Sequence, residues 1–270
     1  MLYEYLETSS IDQKLLEKLI NLYLINCKID PNRVATGVDI YRNFEYLYPL
    51  EWLKKYLHTS SAVLDIGSSS STWPAMLFDQ FHCKIYATDI DLQALEAQKF
   101  YLSNLNMLDE IGRRFILEEQ DATKLKYSNG FFDAVCAISA LEHIPGNGDI
   151  LAVQEIERVL KSGGMFIFTA PFAPEFIESN TDHYHHGYEK RYDYNAIQTR
   201  FTSAKELCLE ELLFINGLHE DTDILSDFWY KHKLFNTIGK ISPFFSMLLF
   251  EISTEPTERS RGFIARFRKK

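Results

Sequence analysis

Three aspartates are spaced as a binding site for a polar ligand would need them: Asp65, Asp89 and Asp121. Asp65 stands two places before Gly67, which opens a run of four serines, Ser68 to Ser71. Glycine lets a backbone pass close to a ligand, and the serines after it add hydroxyl donors beside the free N–H groups of a helix start. Asp89 follows Gly67 by 22 residues. At that offset, an acidic side chain at the tip of a second strand accepts hydrogen bonds from ribose hydroxyls. A helix cap or turn residue is the competing reading for Asp89, and position with spacing favours the ribose role.

A second set of residues suits proton transfer. Glu142-His143 stands alone after an apolar run, and the stretch Asp182 to Tyr194 holds His183, His185 and His186 with Tyr184, Tyr188, Tyr192 and Tyr194. An imidazole with an ordinary pKa near 6.5 can act as a general base if it reaches the proton. For His143 and Glu142 a loop-stabilising role is an equal alternative. His183, His186 and Tyr188 are candidates to line or activate an acceptor, or to form a packed lid at the substrate mouth. The three histidines lack the i,i+4 spacing of a helical metal site, so no metal is expected.

These residues must be held by alternating strands and helices. Ala62 to Ile66 is a short apolar strand, and a helix pattern over Trp73 to Phe81 follows the serine turn. Strands are predicted at Cys83 to Ala87, Phe115 to Glu119, Ala134 to Ile138 and Met165 to Thr169. Helices are predicted at Leu92 to Asn104, capped by Asp91, and at Asp149 to Leu160, which stops on Gly163-Gly164. Such alternation assembles most simply as a right-handed, mainly parallel sheet with helices on both faces.

Before the first strand, Ser10 and Gln13 form a capping box for a helix that Pro31 stops, and Pro49 suits the first turn of a second helix. Between them, residues 32 to 46 are polar and aromatic without a clean period and include Arg33 and Arg42. Later, Lys205 to Ile215 and Gly262 to Phe267 read as strands, and Asp221 to Ile252 is an aromatic-rich insertion expected to be helical.

Asp65-Ile66-Gly67 after an apolar strand resembles motif I of the class I S-adenosylmethionine-dependent methyltransferases, with Ser69 and Ser71 in place of later glycines. Phe132-Asp133-Ala134-Val135 leading to Leu141-Glu142-His143-Ile144, and Arg158-Val159-Leu160-Lys161 before Gly163-Gly164, resemble two further segments of that family. The resemblance covers about residues 55 to 215. It implies S-adenosyl-L-methionine as cofactor, with Asp121-Ala122 receiving the adenine amino group and the end of the fourth strand beside the methyl group. Asp65, Gly67, Ser68, Ser69, Asp89, Ile90, Asp121, Ala122 and Ser139 are thus the expected cofactor residues. In this family the segment before the first strand often folds over cofactor and substrate, which makes Arg33 or Arg42 a candidate for the cofactor's carboxylate.

The resemblance implies an α/β, Rossmann-like, doubly wound sheet of seven mainly parallel strands with an antiparallel last strand. The expected organisation is one domain over 1–270: an N-terminal helical cap (1–58), a cofactor-binding core (59–216), a helical insertion (217–261) and a last strand (262–270). The insertion is a candidate substrate cover or homodimer contact.

A formal charge of −10 argues against broad nucleic-acid binding, which depends on Lys and Arg at phosphates. Cys27, Cys83, Cys136 and Cys208 show no metal-ligand spacing, and the chain opens without a basic flank and apolar run. A cytoplasmic protein with no transmembrane segment is expected. The acceptor is expected to be a small or lipid-like molecule offering an oxygen, nitrogen or carbon nucleophile. Two alternatives remain: an NAD-dependent oxidoreductase, although only one of the three fingerprint glycines is present, and a catalytically silent S-adenosylmethionine-binding scaffold.

Overall fold

A computed structural model describes residues 12–31, 42–179, 188–202, 204–218, 246–247 and 249–270. Two helices precede the sheet, α1 (Gln13–Ile29) and α2 (Arg42–Lys54). The Asp12 side chain caps α1 by accepting from the N–H groups of Lys14 and Leu15, in the place where Ser10 was expected to act; Ser10 lies outside the described residues. Helix α2 begins at least seven residues before the Pro49 start predicted from sequence, and Pro49 sits inside it. An interior proline costs a helix about 3 kcal/mol. Here Phe44, Tyr46, Leu47, Leu50 and Leu53 are all buried against the core and offset that cost.

The alternation then runs β1 (Ala62–Ile66), α3 (Trp73–Phe81), β2 (Lys84–Asp89), α4 (Glu96–Asn104), β3 (Phe115–Glu119), β4 (Phe132–Ile138), α5 (Gly148–Val159) and β5 (Leu160–Pro171). The Leu92 to Asn104 helix expected from sequence is divided: Asp91 caps a 3-10 turn at Leu92–Leu95, and the α-helix starts only at Glu96. Short strands β6 (Ile177–Ser179) and β7 (Glu189–Arg191) pair with each other, α6 (Tyr194–Phe201) follows, and β8 (Leu207–Gly217), β9 (Phe250–Ser253) and β10 (Ser260–Lys269) complete the chain.

The main sheet has the order β3-β2-β1-β4-β5-β10-β8-β9. Strands β1 to β5 are mutually parallel, while β10 is antiparallel to both β5 and β8. The doubly wound sheet with an antiparallel last strand is therefore present, with one strand more than expected among the described residues. The extra strand, β9, comes from the stretch expected to be helical: Phe250 to Ser253 pairs antiparallel with β8 and covers its open edge.

Alternating strand residues face two helical layers. Val63, Ile85, Cys136 and Ile167 pack toward α1 to α4, whereas Leu64, Tyr86, Val135 and Phe168 pack toward α5 and α6. Burial on both faces explains why these strands read as continuous apolar runs. At the carboxyl ends of β1, β2, β3 and β4 the order reverses between β1 and β4, the switch point at which doubly wound sheets open a crevice.

Candidate active site

The crevice is a cavity of about 700 Å³ at that switch point, large enough for a nucleoside-sized ligand. Gly67, Ser69, Ser70 and Ser71 form one wall, Asp89 and Ile90 a second, Gln120, Asp121 and Ala122 a third, and Ser139, Ala140, His143, Ile144 and Pro145 the side facing β4. Arg42 and Tyr46 of α2 close over it. The structure thus brings Gly67, Ser69, Asp89, Ile90, Asp121, Ala122, Ser139 and His143 together.

The turn after β1 needs its glycine. Gly67 has φ +70°, and a Cβ there would lie 2.6 Å from the Cβ of Ala140. Ser69 also takes a left-handed backbone, φ +41°, and its N–H donates to Asp89 Oδ2 at 3.0 Å. Asp89 Oδ1 accepts from the Asp91 N–H, also at 3.0 Å. Both oxygens are oriented by backbone donors and keep further lone pairs for a ligand. Asp121 is held the same way, Oδ1 accepting from the Thr123 N–H at 2.9 Å and the Thr123 hydroxyl at 2.7 Å.

Asp65 and Ser68 differ from expectation. Neither lines the cavity, and both are buried. The Ser68 hydroxyl donates to Asp65 Oδ2 and accepts from the Thr88 N–H at 3.1 Å, so it stitches β1 to β2. A side chain on a tight turn can satisfy a buried carboxylate more closely than it can reach a ligand. Burial pushes the Asp65 carboxyl up to about 7; the Ser68 hydrogen bond opposes the shift and the Asp89 charge adds to it.

Ser139, at the end of β4, has φ +47° and donates its N–H to Thr169. Its hydroxyl donates to Glu45 Oε1 at 2.8 Å, and Glu45 Oε2 pairs with Arg42 Nη1 at 2.9 Å. His143 lines the cavity while its Nδ1 lies 2.9 Å from the Tyr188 carbonyl oxygen. Tyr188 itself is not among the lining residues. Its hydroxyl donates to Glu178 and accepts from the Gly146 N–H at 3.0 Å, and burial with that bond to Glu178 pushes it up to about 12. The phenol therefore fastens the loop after β4. His183, His186 and Arg33 lie outside the described residues, as does most of the 221–252 insertion.

Sequence reading left Tyr46, Gln98 and Tyr101 without a role. Tyr46 Oη is 2.8 Å from Ser71 Oγ. Gln98 donates to the carbonyls of Ser69 and Ser71 at 3.1 and 2.7 Å, and Tyr101 to that of Ser70 at 2.7 Å. The available signal was the i,i+3 spacing of Gln98 and Tyr101 on one face of α4. Among the described residues no cluster of three His, Cys, Asp or Glu could hold a metal, and no helix is long and apolar enough to cross a membrane.

A family model described as a methyltransferase domain matches residues 64–168. A sarcosine/dimethylglycine N-methyltransferase of Halorhodospira halochloris is 31% identical over 121 residues, 44% of this chain and 40% of that protein, so the match spans less than half of that relative. Among solved structures, a geranyl diphosphate C-methyltransferase from Streptomyces coelicolor A3(2), in complex with Mg2+, geranyl diphosphate and S-adenosyl-L-homocysteine, superposes with a TM-score of 0.57 at 10% identity, covering 86% of this chain and 84% of that one. The [4+2]-cyclase SpnF superposes with a TM-score of 0.54 at 13% identity over 82% and 80% of the two chains. With the sheet order and the cavity at its switch point, the first match assigns residues 64–168 to the methyltransferase-domain family, and the superpositions give the chain a Rossmann-like methyltransferase fold.

Proposed function

We propose that the chain is an S-adenosylmethionine-dependent methyltransferase that moves a methyl group to an oxygen, nitrogen or carbon nucleophile of a small or lipid-like molecule. The observation that carries this reading is the convergence of Asp89 and Asp121, on the tips of adjacent strands β2 and β3, with the Gly67 turn of β1 on one cavity. These residues fit the cofactor: two oriented carboxylates match ribose hydroxyls and an adenine amino group, and Gly67 leaves room where a Cβ would fill the cradle. When bound, S-adenosylmethionine supplies an electrophilic methyl group. Arg42, at the cavity wall over the serine turn, is placed for a carboxylate. Ser139, Ala140 and His143 line the side on which an acceptor would lie, and the enclosing wall would orient it and exclude water.

The relatives' names support two acceptor chemistries, a small amine and an allylic diphosphate. Four unpaired thiols support a reducing, cytoplasmic setting, and a single-domain organisation over 1–270 is consistent with strands from both ends of the core sharing one sheet.

A second reading is favoured by the likeness to a cyclase, because fold alone does not fix chemistry: a cofactor-binding protein that transfers no methyl. Calorimetry with S-adenosylhomocysteine and with NAD tests the cofactor. Micromolar binding of the first and none of the second is expected, and the reverse would overturn the assignment. Transfer of label from methyl-labelled cofactor to sarcosine or geranyl diphosphate, or into a cell extract, separates enzyme from silent binder.

A further inference from the structure

The loop after β4 carries cavity-wall residues His143, Ile144 and Pro145, and it is held from outside by a buried knot. At its centre is Asp149, fully buried at the start of α5. Arg200 donates to both of its oxygens, at 2.7 and 2.8 Å, Tyr192 donates its hydroxyl to Oδ2 at 3.1 Å, and Lys190 Nζ is 3.3 Å from Oδ1. Burial alone would raise the Asp149 carboxyl, but the Arg200 hydrogen bonds and the Lys190 charge bring it below its ordinary range.

The same cations reach the loop. Lys190, also fully buried, donates to the Ile144 carbonyl, and Arg200 donates to the Gly146 carbonyl at 3.2 Å. Two residues before Lys190, the Tyr188 carbonyl meets His143 Nδ1. A carbonyl oxygen can only accept, so Nδ1 must carry a proton. In the neutral ring the lone pair is then on Nε2.

We propose that Asp149 is a positioning residue for His143: through Lys190 and Arg200 it clamps the His143–Gly146 segment against β7 and so fixes the imidazole as the Nδ1–H tautomer, with Nε2 as the proton acceptor. Only the use made of that lone pair rests on the methyl-transfer reading. In that use, a nucleophile bearing a hydrogen gives its electron pair to the methyl carbon, and the carbon–sulfur pair stays on sulfur. The released proton passes to Nε2, and the imidazolium later returns it to water.

The test is long-range proton–nitrogen NMR of the imidazoles in the 15N-labelled full chain, with His143→Gln identifying the signal, beside calorimetry with S-adenosylhomocysteine. The wild type is expected to show His143 as a single Nδ1–H tautomer. Asp149→Asn is expected to give a mixture of tautomers while S-adenosylhomocysteine affinity stays within about twofold, because the cofactor carboxylates are on other loops. A merely structural loss would lower affinity and melting temperature and leave the tautomer alone.

An unchanged tautomer in folded Asp149→Asn, or an Nε2–H ring in the wild type, overturns the proposal. Should Asp149→Asn fail to fold by circular dichroism, Tyr192→Phe removes one bond to Asp149 and is read in the same way, with a partial shift expected and no shift overturning it. Wild type that does not bind S-adenosylhomocysteine overturns the methyl-transfer reading, and the tautomer still decides the clamp.

Discussion

The Ser68 hydroxyl donates to Asp65 Oδ2 at 2.6 Å, and both residues are sealed from the cavity. The acid of the first strand therefore serves the turn from behind, and its ionisation weighs on folding. Its folded-state pKa, about 7, lies above the ordinary carboxylate value. A raised pKa contributes stability that is complete below about pH 4 and is lost as pH rises through about 7. Asp65→Asn cannot ionise, so its stability relative to wild type should increase over that window by on the order of 4 kcal/mol. Urea unfolding of both proteins from pH 4 to pH 8 measures it; a difference that stays flat or falls would show that the fold does not raise the Asp65 pKa.

Asp89 and Asp121 should behave differently from Asp65 in ligand binding. Removing a charged hydrogen-bond partner costs about 1.5–3 kcal/mol, so Asp89→Ala and Asp121→Ala should each weaken S-adenosylhomocysteine by about 10- to 100-fold. Asp89→Ala should be the worse, because it also releases the Ser69 N–H. Asp65→Asn should change affinity far less. Equal losses for all three would place Asp65 at the ligand after all.

Gly67→Ala meets two obstacles, a left-handed backbone and a Cβ 2.6 Å from that of Ala140. The backbone alone costs about 1–2 kcal/mol. S-adenosylhomocysteine affinity should fall at least about tenfold. Adding Ala140→Gly removes the collision and should restore part of the stability, leaving the backbone cost. Thermal melts of the two single variants and the double variant give the coupling; strict additivity would mean that the turn relaxes away from Ala140.

Glu45 couples α2 to the end of β4. Glu45, itself fully buried, accepts from the half-buried Ser139 hydroxyl; Glu45→Ala removes that acceptor and should destabilise by about 1–3 kcal/mol, while Glu45→Gln keeps an acceptor and should fall between. Calorimetry should show weaker S-adenosylhomocysteine binding in the same order, since Arg42 and Ser139 both line the cavity. Loss of stability with unchanged binding would confine Glu45 to a packing role.

The core was legible because its central strands β1, β2 and β4 are buried almost throughout and several of its turns are marked by glycine or aspartate; α3 and β3 have the bounds read from sequence. The start of α2 was not, since Pro49 in isolation looks like a first-turn residue and only tertiary burial shows that the helix runs through it. Spacing placed Asp65 on a strand tip but carried no information on which way its carboxylate turns. The link from Glu45 to Ser139 spans 94 residues, beyond any local pattern, and the expected roles of His183 and His186 lie outside the described residues.

Trans peptide planarity sets carbonyl and N–H on opposite sides of each unit. Because Gln98 draws the carbonyls of Ser69 and Ser71 toward α4, the N–H groups of Ser70 and Thr72 are turned the other way. Glycines at these places would rotate freely until a guest arrived. Here two side chains of a neighbouring helix have already chosen the rotation, so the entropy of shaping the bend is spent during folding and preorganisation, rather than capture, governs how readily the hollow accepts its occupant.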